Sequence, residues 1–221
     1  MFHGKHSGDR LEKAAHWVGI DLTPHQRTQL DRLGEWLATE AVDAGGIGPA
    51  EEARLVDRHL ADSIVFAAAW NEEPSTVLDV GSGVGLPGIP LAILYPNAVV
   101  TLLDRSRERC RLARRAVRVI GLENVAVDQR DALHMDGTWD VITFRASLRP
   151  VDALRSALPL LSEQGCVVIG MSRSVEPADT PSAPTGAAVD LLEVDDGVLD
   201  SPAWLLRMTR DNPRALDRDT S

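Results

Sequence analysis

Between Val77 and Pro90 an apolar run passes into a glycine-rich segment, and this transition constrains the fold more than any other part of the chain. The segment reads VLDVGSGVGLPGIP, with Gly81, Gly83 and Gly85 at alternate positions. Such a sequence is typical of a buried β-strand that enters a tight turn and then a helix, where backbone N–H groups meet a nucleotide-like ligand. The segment therefore predicts a nucleoside-binding α/β fold.

The residues around these glycines indicate which nucleoside ligand fits. Asp79 precedes the turn, and Leu86 occupies the position that holds the third glycine of a dinucleotide fingerprint. That third glycine helps to accommodate a pyrophosphate, and a carboxylate suits a cationic ligand better than an anionic one. S-adenosylmethionine carries a sulfonium and an ammonium group, so we expect the turn to bind this cofactor. The same two residues disfavour a nicotinamide dehydrogenase.

Strands and helices alternate from Thr76 onward, which predicts a largely parallel sheet with right-handed crossovers. The predicted strands span 76–80, 99–103, 125–129, 141–144 and 166–170, with a final hairpin at 189–194 and 204–208. Helices are predicted between them at 85–95, 106–120 and 151–161. Residues 1–70 are expected to form an N-terminal helical extension, with helices at 9–18, 24–38 and 50–70. We expect an S-adenosylmethionine-binding domain over 71–210 and a flexible tail over 211–221.

Two acidic positions after later strands extend the predicted cofactor site. Asp104 follows the second strand, where a carboxylate can accept both ribose hydroxyls of a nucleoside. The alternative for Asp104 is a capping role at the next helix. Asp131 and Ala132 follow the third strand, where an adenine would lie, and the alternative for Asp131 is an exposed loop acid.

Composition limits the classes of protein to be considered. The formal net charge of −10 at pH 7 argues against a protein that coats nucleic acid through bulk electrostatics, although it permits a local basic patch. No apolar run approaches the roughly 20 residues that span a bilayer, and the N-terminus lacks the apolar core of a signal peptide. Cys110 and Cys166 are isolated and lack metal-ligand spacing. We therefore expect a cytoplasmic protein with reduced cysteines, no bound metal and no membrane partner.

One basic stripe stands out in this acidic chain. The predicted helix at 106–120 and the residue before it carry seven arginines: Arg105, Arg107, Arg109, Arg111, Arg114, Arg115 and Arg118. Such a stripe can follow RNA phosphates. The alternative is a solvated face whose arginines pair with acids such as Glu108.

A longer segment, from Leu78 to Ile93, closely resembles the bacterial small-subunit ribosomal RNA guanine-N7 methyltransferases (RsmG, also called GidB). In that family Leu-Pro-Gly-Ile-Pro follows the glycine turn, as it does here at 86–90. The elements RHLADS at 58–63, VTLLD at 100–104, GLENV at 121–125 and the pair Arg145-Ala146 also match. The resemblance covers roughly residues 51–165.

This resemblance implies a class I methyltransferase (Rossmann-like) fold, S-adenosylmethionine as cofactor, and ribosomal RNA or the small ribosomal subunit as partner. It also implies catalytic roles for Arg130 and Arg145, with Arg145 placing an RNA phosphate or guanine O6. The alternative for Arg145 is an ion pair with Asp140 or Asp79. The turn, the later carboxylates and the resemblance together give this expected cofactor-binding set: Asp79, Gly81, Ser82, Gly83, Gly85, Leu86, Asp104, Arg105, Asp131, Ala132 and Arg145.

Departures from the family pattern concern the methyl acceptor. The family's lysine after the fifth strand is missing at Gly170-Met171-Ser172, and an arginine expected near the last strand has no counterpart at 202–204. The family's Asn-Leu-Thr segment is replaced by 44–48. Guanine N7 has a lone pair and loses no proton, so its methylation needs orientation rather than a general base. The alternatives are a small-molecule N- or O-methyltransferase of the same fold and a non-catalytic cofactor-binding or interaction protein.

Overall fold

Seven strands form one mixed sheet, and the computed structural model describes residues 6–48, 55–171 and 180–211. The strands are β1 (Thr76–Val80), β2 (Val99–Leu103), β3 (Val125–Asp128), β4 (Trp139–Arg145), β5 (Leu161–Gly170), β6 (Ala187–Val194) and β7 (Ala203–Arg210). Their order is β3-β2-β1-β4-β5-β7-β6. The first five are parallel, and β7 is antiparallel to both of its neighbours, as in the predicted hairpin. The α/β fold class is confirmed.

Helices cover both faces of this sheet. They are α1 (His6–Trp17), α2 (Pro24–Trp36), α3 (Asp62–Ile64), α4 (Gly88–Leu94), α5 (Arg107–Ile120) and α6 (Pro150–Ala157). The cores of α1, α2, α4 and α5 belong to one apolar cluster, and α6 packs in a second cluster on the other face. No helix in the described residues is long and apolar enough to span a membrane.

The N-terminal helices are anchored to the sheet layer by polar as well as apolar contacts. Thr23 and Gln26 form a reciprocal capping box at the start of α2. The Gln26 amide also donates to the carbonyls of Ile93 and Leu94, at 3.0 and 3.1 Å. The start of α2 is therefore attached to the end of α4.

Several predicted helices have different bounds in the structure; the helix predicted at 151–161 ends at Ala157, and Leu161 already belongs to β5. The helix after the glycine turn begins at Gly88 rather than at residue 85, because Gly85 has a φ of 103°, which a right-handed helix does not accommodate. The predicted helix at 50–70 is a π-helical Leu55–Ala61, then α3, then a 3₁₀ turn at Val65–Ala69. Part of that helix, most of the predicted tail and much of the loop before β6 lie outside the described residues, at 49–54, 212–221 and 172–179.

Candidate active site

A cavity of about 490 Å³ opens at the carboxyl ends of β1, β2, β3 and β4. The strand order changes direction between β1 and β4, and ligands of open α/β sheets bind at such a point. The predicted residues that line it are Gly81, Ser82, Gly83, Leu86, Asp104, Arg105, Arg130, Asp131, Ala132 and Arg145. We call this space the first cavity.

The glycine turn forms the floor of the first cavity, and its backbone conformation decides how much space is left for a ligand. The N–H groups of Gly81 and Ser82 donate to the Leu103 carbonyl at 2.8 and 3.0 Å, which ties the turn to the end of β2. Gly81 has a φ of 72°, and a Cβ there would lie 2.3 Å from the Cβ of Ser147. A Cβ on Gly83 would instead project into open space. The turn therefore provides room for a ligand, and the amides of 81 and 82 are engaged within the protein.

Asp104 is the carboxylate that braces this turn. One oxygen accepts from the Gly83 N–H at 3.0 Å and the other from the Ser106 N–H at 2.8 Å, and the residue is 5% exposed. Ser106 rather than Asp104 caps α5, so the alternative capping role is wrong. Each carboxylate oxygen has a second lone pair, so both can still accept a ribose hydroxyl. The donor set and the shape of the turn fit the nucleoside part of S-adenosylmethionine.

Asp79 and Gly85 belong to the predicted cofactor set but do not line the first cavity. Asp79 is fully buried beneath the turn, where it accepts from the Gly88 N–H at 2.8 Å and from the Thr143 hydroxyl at 3.0 Å. Burial raises the pKa of this carboxyl to about 7, against the opposing effect of those two hydrogen bonds. Asp79 therefore joins β1, β4 and α4 beneath the turn, and its predicted role toward a cationic ligand stays a prediction.

Arg145 ends β4 at the wall of the first cavity and is held by the 55–64 segment. Its Nη2 lies 2.8 Å from His59 Nδ1, and its Nη1 donates to the Ser63 hydroxyl at 3.3 Å. The alternative partner Asp140 instead accepts from the backbone of Ser75 and Thr76, at the other end of the sheet. Because a guanidinium only donates, Nδ1 of His59 must accept, and the neutral ring then carries its proton on Nε2.

The two predicted catalytic arginines do not come together. Arg130 follows β3, whereas Arg145 ends β4, and two strands separate them, which corresponds to about 14 Å across the sheet. Arg130 is exposed and pairs with Asp128 at 2.6 Å and Asp136 at 3.6 Å. Both arginines line the cavity, each from the end of a different strand.

Sequence reasoning missed the lining residues that come from the N-terminal part of the chain. Gly46, Ile47 and His59 all face the first cavity. A Cβ on Gly46 would lie 2.5 Å from the Val84 side chain, so this loop approaches the glycine turn closely. The matching RHLADS element was the available signal for His59. The Gly45-Gly46 pair was the available signal for the loop.

Near Arg145 lies another cavity, of about 420 Å³, which we call the second cavity. It lies at the ends of β4 and β5 and the start of β7, and Asp62, Phe66, Arg145, Met171 and Trp204 are among its lining residues. Met171 belongs to the segment 170–172 that lacks the family's lysine, and Trp204 belongs to the segment 202–204 that lacks a counterpart of its arginine. The Met171 N–H donates to the Trp204 carbonyl at 3.0 Å, so both departures fall at one place.

The exposed arginines of α5 differ in whether they form ion pairs. Arg111 pairs with Glu108 at 2.6 Å, and Arg115 pairs with Glu40 at 2.9 Å. These contacts fit the predicted alternative of a solvated, paired face. Within the described residues Arg107 and Arg118 are exposed and form no ion pair or hydrogen bond.

Similar proteins were found both by sequence and by structure. Residues 26–178 match the family model described as rRNA small subunit methyltransferase G. Ribosomal RNA small subunit methyltransferase G of Frankia casuarinae is 35% identical, with 89% of this chain and 78% of that protein covered. The protein of the same name from Corynebacterium glutamicum is 33% identical, with 92% and 88% covered.

Solved structures with the same fold are more distant in sequence. A SAM-dependent methyltransferase from Aquifex aeolicus has a TM-score of 0.57 and 20% identity, over 75% of this chain and 98% of that one. TrmN from Thermus thermophilus has a TM-score of 0.53 and 22% identity, over 71% and 53%. These matches agree with the α/β fold of the described residues. The chain belongs to the rRNA small subunit methyltransferase G family, whose members are S-adenosylmethionine-dependent methyltransferases.

Proposed function

We propose that this protein transfers a methyl group from S-adenosylmethionine to N7 of a guanine in small-subunit ribosomal RNA, in the cytoplasm. The observation that carries the choice of acceptor atom is the contact between Arg145 and His59 at the wall of the first cavity. Among the described residues that line this cavity, His59 is the one histidine. Its Nδ1 lone pair accepts a hydrogen bond from Arg145. The site thus presents a fixed cation and no imidazole base beside the end of β4. That arrangement suits an acceptor that loses no proton.

The residues of the first cavity would divide the work of binding and orientation. Asp104 would accept the ribose hydroxyls while it holds Gly83 in place. Asp131 and Ala132 would contact the adenine, and Arg105 would flank the ribose. When bound, S-adenosylmethionine supplies a methyl group on a positively charged sulfur, already activated for in-line displacement.

Arg145 would position the acceptor by donating to guanine O6, the neighbour of N7. The N7 lone pair forms the new bond to the methyl carbon, the bond from sulfur to that carbon breaks, and its electron pair stays on sulfur. S-adenosylhomocysteine leaves, and no proton is transferred. The protein's contribution is orientation and exclusion of water.

Labelled-methyl transfer tests this proposal. Small ribosomal subunits from cells that lack their own guanine-N7 methylation are incubated with the protein and labelled S-adenosylmethionine. We expect label in 7-methylguanosine after nuclease digestion. The Arg145→Ala variant should retain cofactor binding, measured by calorimetry, and lose most of the transfer. Unlabelled subunits together with tight cofactor binding would exclude ribosomal RNA as the acceptor.

A small-molecule acceptor is the second candidate, and one observation favours it. Met171 and Trp204 make the second cavity less cationic than the family pattern predicts. A screen of small N- and O-nucleophiles with the same labelled cofactor separates the two candidates. Transfer to such a compound at a rate above that for ribosomal subunits would favour the second candidate.

A further inference from the structure

The second cavity adjoins the first at one point of the structure, the end of β4. Arg145 and Ala146 line both cavities, whereas Asp62, Phe66 and Trp204 line only the second. Arg145 pairs with Gly170 across β4 and β5, and Gly170 pairs with Leu205 of β7. The two cavities therefore lie side by side along the carboxyl edge of the sheet, with the Arg145 guanidinium at their junction.

The walls of the second cavity suit a flat aromatic ligand. Phe66 is buried, and its ring lies close to the backbone of Gly170, where a Cβ would be 3.0 Å from Cζ. Trp204 and Met171 come from two neighbouring strand ends that are joined by a backbone hydrogen bond. Enzymes that act on a base extrude it from its stack into a pocket with aromatic or apolar walls and read its Watson–Crick edge by hydrogen bonds.

The polar groups of the second cavity have opposite charges. Asp62 contributes a carboxylate from α3, and Arg145 contributes a guanidinium from β4. The next residue of α3, Ser63, accepts from Arg145 at 3.3 Å and donates to the His59 carbonyl at 2.5 Å. The same short helix thus positions the acidic group and helps to hold the basic one. An acceptor and a donor therefore line the same cavity.

We propose that the second cavity binds the guanine that receives the methyl group, and that Asp62 is the residue that selects guanine. Asp62 accepts from the guanine N1–H and exocyclic N2–H, and Arg145 donates to O6. N7 then faces the first cavity. Around the edge of guanine the order is N2, N1, O6 and N7, which matches the spatial order of Asp62, Arg145 and the first cavity. This inference rests on the proposed function, because it places that function's acceptor base.

The same arrangement rejects the other purines. Adenine presents an amine where guanine has O6, so a donor would face the Arg145 guanidinium, which also donates. Adenine presents an unprotonated N1 where guanine has N1–H, so an acceptor would face the Asp62 carboxylate, which also accepts. Hypoxanthine retains N1–H and O6 but lacks the N2 amine, so it loses one of the two hydrogen bonds to Asp62. We therefore expect binding in the order guanine, hypoxanthine, adenine.

Nucleotide binding to the wild-type protein tests this order directly. Saturating S-adenosylhomocysteine fills the first cavity, and binding of guanosine, inosine and adenosine 5′-monophosphates is then measured by ligand-observed NMR. We expect guanosine monophosphate to bind about 10-fold or more tightly than adenosine monophosphate, with inosine monophosphate between them. Equal binding of the three nucleotides, or no guanine-selective binding, would overturn the proposal.

The variant Asp62→Asn assigns the selectivity to one side chain. It replaces an acceptor oxygen with an amide that donates, so methyl transfer to ribosomal subunits should fall by about 10- to 100-fold, and the preference for guanosine monophosphate should disappear. Affinity for S-adenosylhomocysteine should stay unchanged. Asp196→Asn is the matched control, because Asp196 is exposed in the turn between β6 and β7.

The outcomes separate this inference from the proposed function. If wild-type protein methylates ribosomal subunits and Asp62→Asn does so equally well, the guanine pocket is wrong and the proposed function stands. If wild-type protein leaves the subunits unlabelled but shows guanine-selective binding that Asp62→Asn removes, the pocket stands and its acceptor is another guanine compound. A guanine preference that persists in Asp62→Asn overturns the role of Asp62.

Discussion

Arg145 and His59 are joined by a contact of 2.8 Å between Nη2 and Nδ1, across 86 residues of sequence. The contact connects the end of β4 to the π-helical segment before α3. It orients the guanidinium at the junction of the two cavities and fixes the imidazole tautomer. His59 is therefore a positioning residue, which acts on the reaction through Arg145.

Replacement of His59 by alanine should remove the acceptor that holds this guanidinium. We expect kcat for methyl transfer to fall about 10-fold, which corresponds to roughly 1.4 kcal/mol in the barrier. Affinity for the cofactor should change little, because Asp104 and the glycine turn are untouched. Single-turnover transfer and calorimetry with S-adenosylhomocysteine measure the two quantities.

The variant His59→Asn is the matched control for this effect. Its side-chain oxygen lies near the position of Nδ1 and can still accept from Arg145, so it should retain most of the activity. If alanine and asparagine variants lose activity equally while both fold, then the contact with Arg145 is not what His59 contributes.

Replacement of Asp104 by asparagine should weaken cofactor binding. The change removes the negative charge and one of the two acceptor oxygens that hold the N–H groups of Gly83 and Ser106. Hydrogen bonds to charged groups contribute about 1.5–3 kcal/mol, so the Kd should rise roughly 10- to 100-fold in calorimetry. Asp136→Asn is the control, since Asp136 is exposed outside the first cavity. An unchanged Kd would remove Asp104 from the cofactor site.

The local sequence predicts the glycine turn well because its constraints are local. Strands β1 and β2 have the predicted bounds, and α5 ends at the predicted Ile120, before Gly121, whose φ is 79°. The predicted start of α4, at residue 85, was wrong because the conformation of Gly85 cannot be deduced from the residue type. Glycine permits positive φ but does not require it.

The direction of a side chain at a strand end was harder to predict. Asp79 alternates with its neighbours along β1, but both faces of a central parallel strand are buried, so the pattern does not show which face opens on a cavity. His59 and Gly46 reach the first cavity through contacts with residues far away in sequence. Such contacts depend on how the N-terminal helices pack, and the hydrophobic periodicity of those helices does not predict that packing.

The exposed arginines of α5 give a prediction about RNA. If Arg107 and Arg118 contact phosphates, then replacing both with alanine should raise KM for ribosomal subunits and reduce its dependence on salt, by about 0.7–0.9 in the log–log slope per phosphate. Arg111→Ala is the control for charge, because Arg111 is already paired with Glu108. Equal salt dependence in all three proteins would identify α5 as a solvated face.

The buried carboxyl of Asp79 should make stability depend on pH. Its pKa is raised from an ordinary value of 3.8 to about 7 in the fold, chiefly by burial. Between about pH 4 and pH 7 the folded protein keeps a proton that the unfolded chain releases, so stability falls as pH rises, by at most about 1.4 kcal/mol per pH unit. The variant Asp79→Asn can still accept from Gly88 and can donate to the Thr143 hydroxyl, but it does not titrate. Urea unfolding across this range should therefore show a smaller decline for the variant than for the wild type, and parallel declines would contradict the raised pKa.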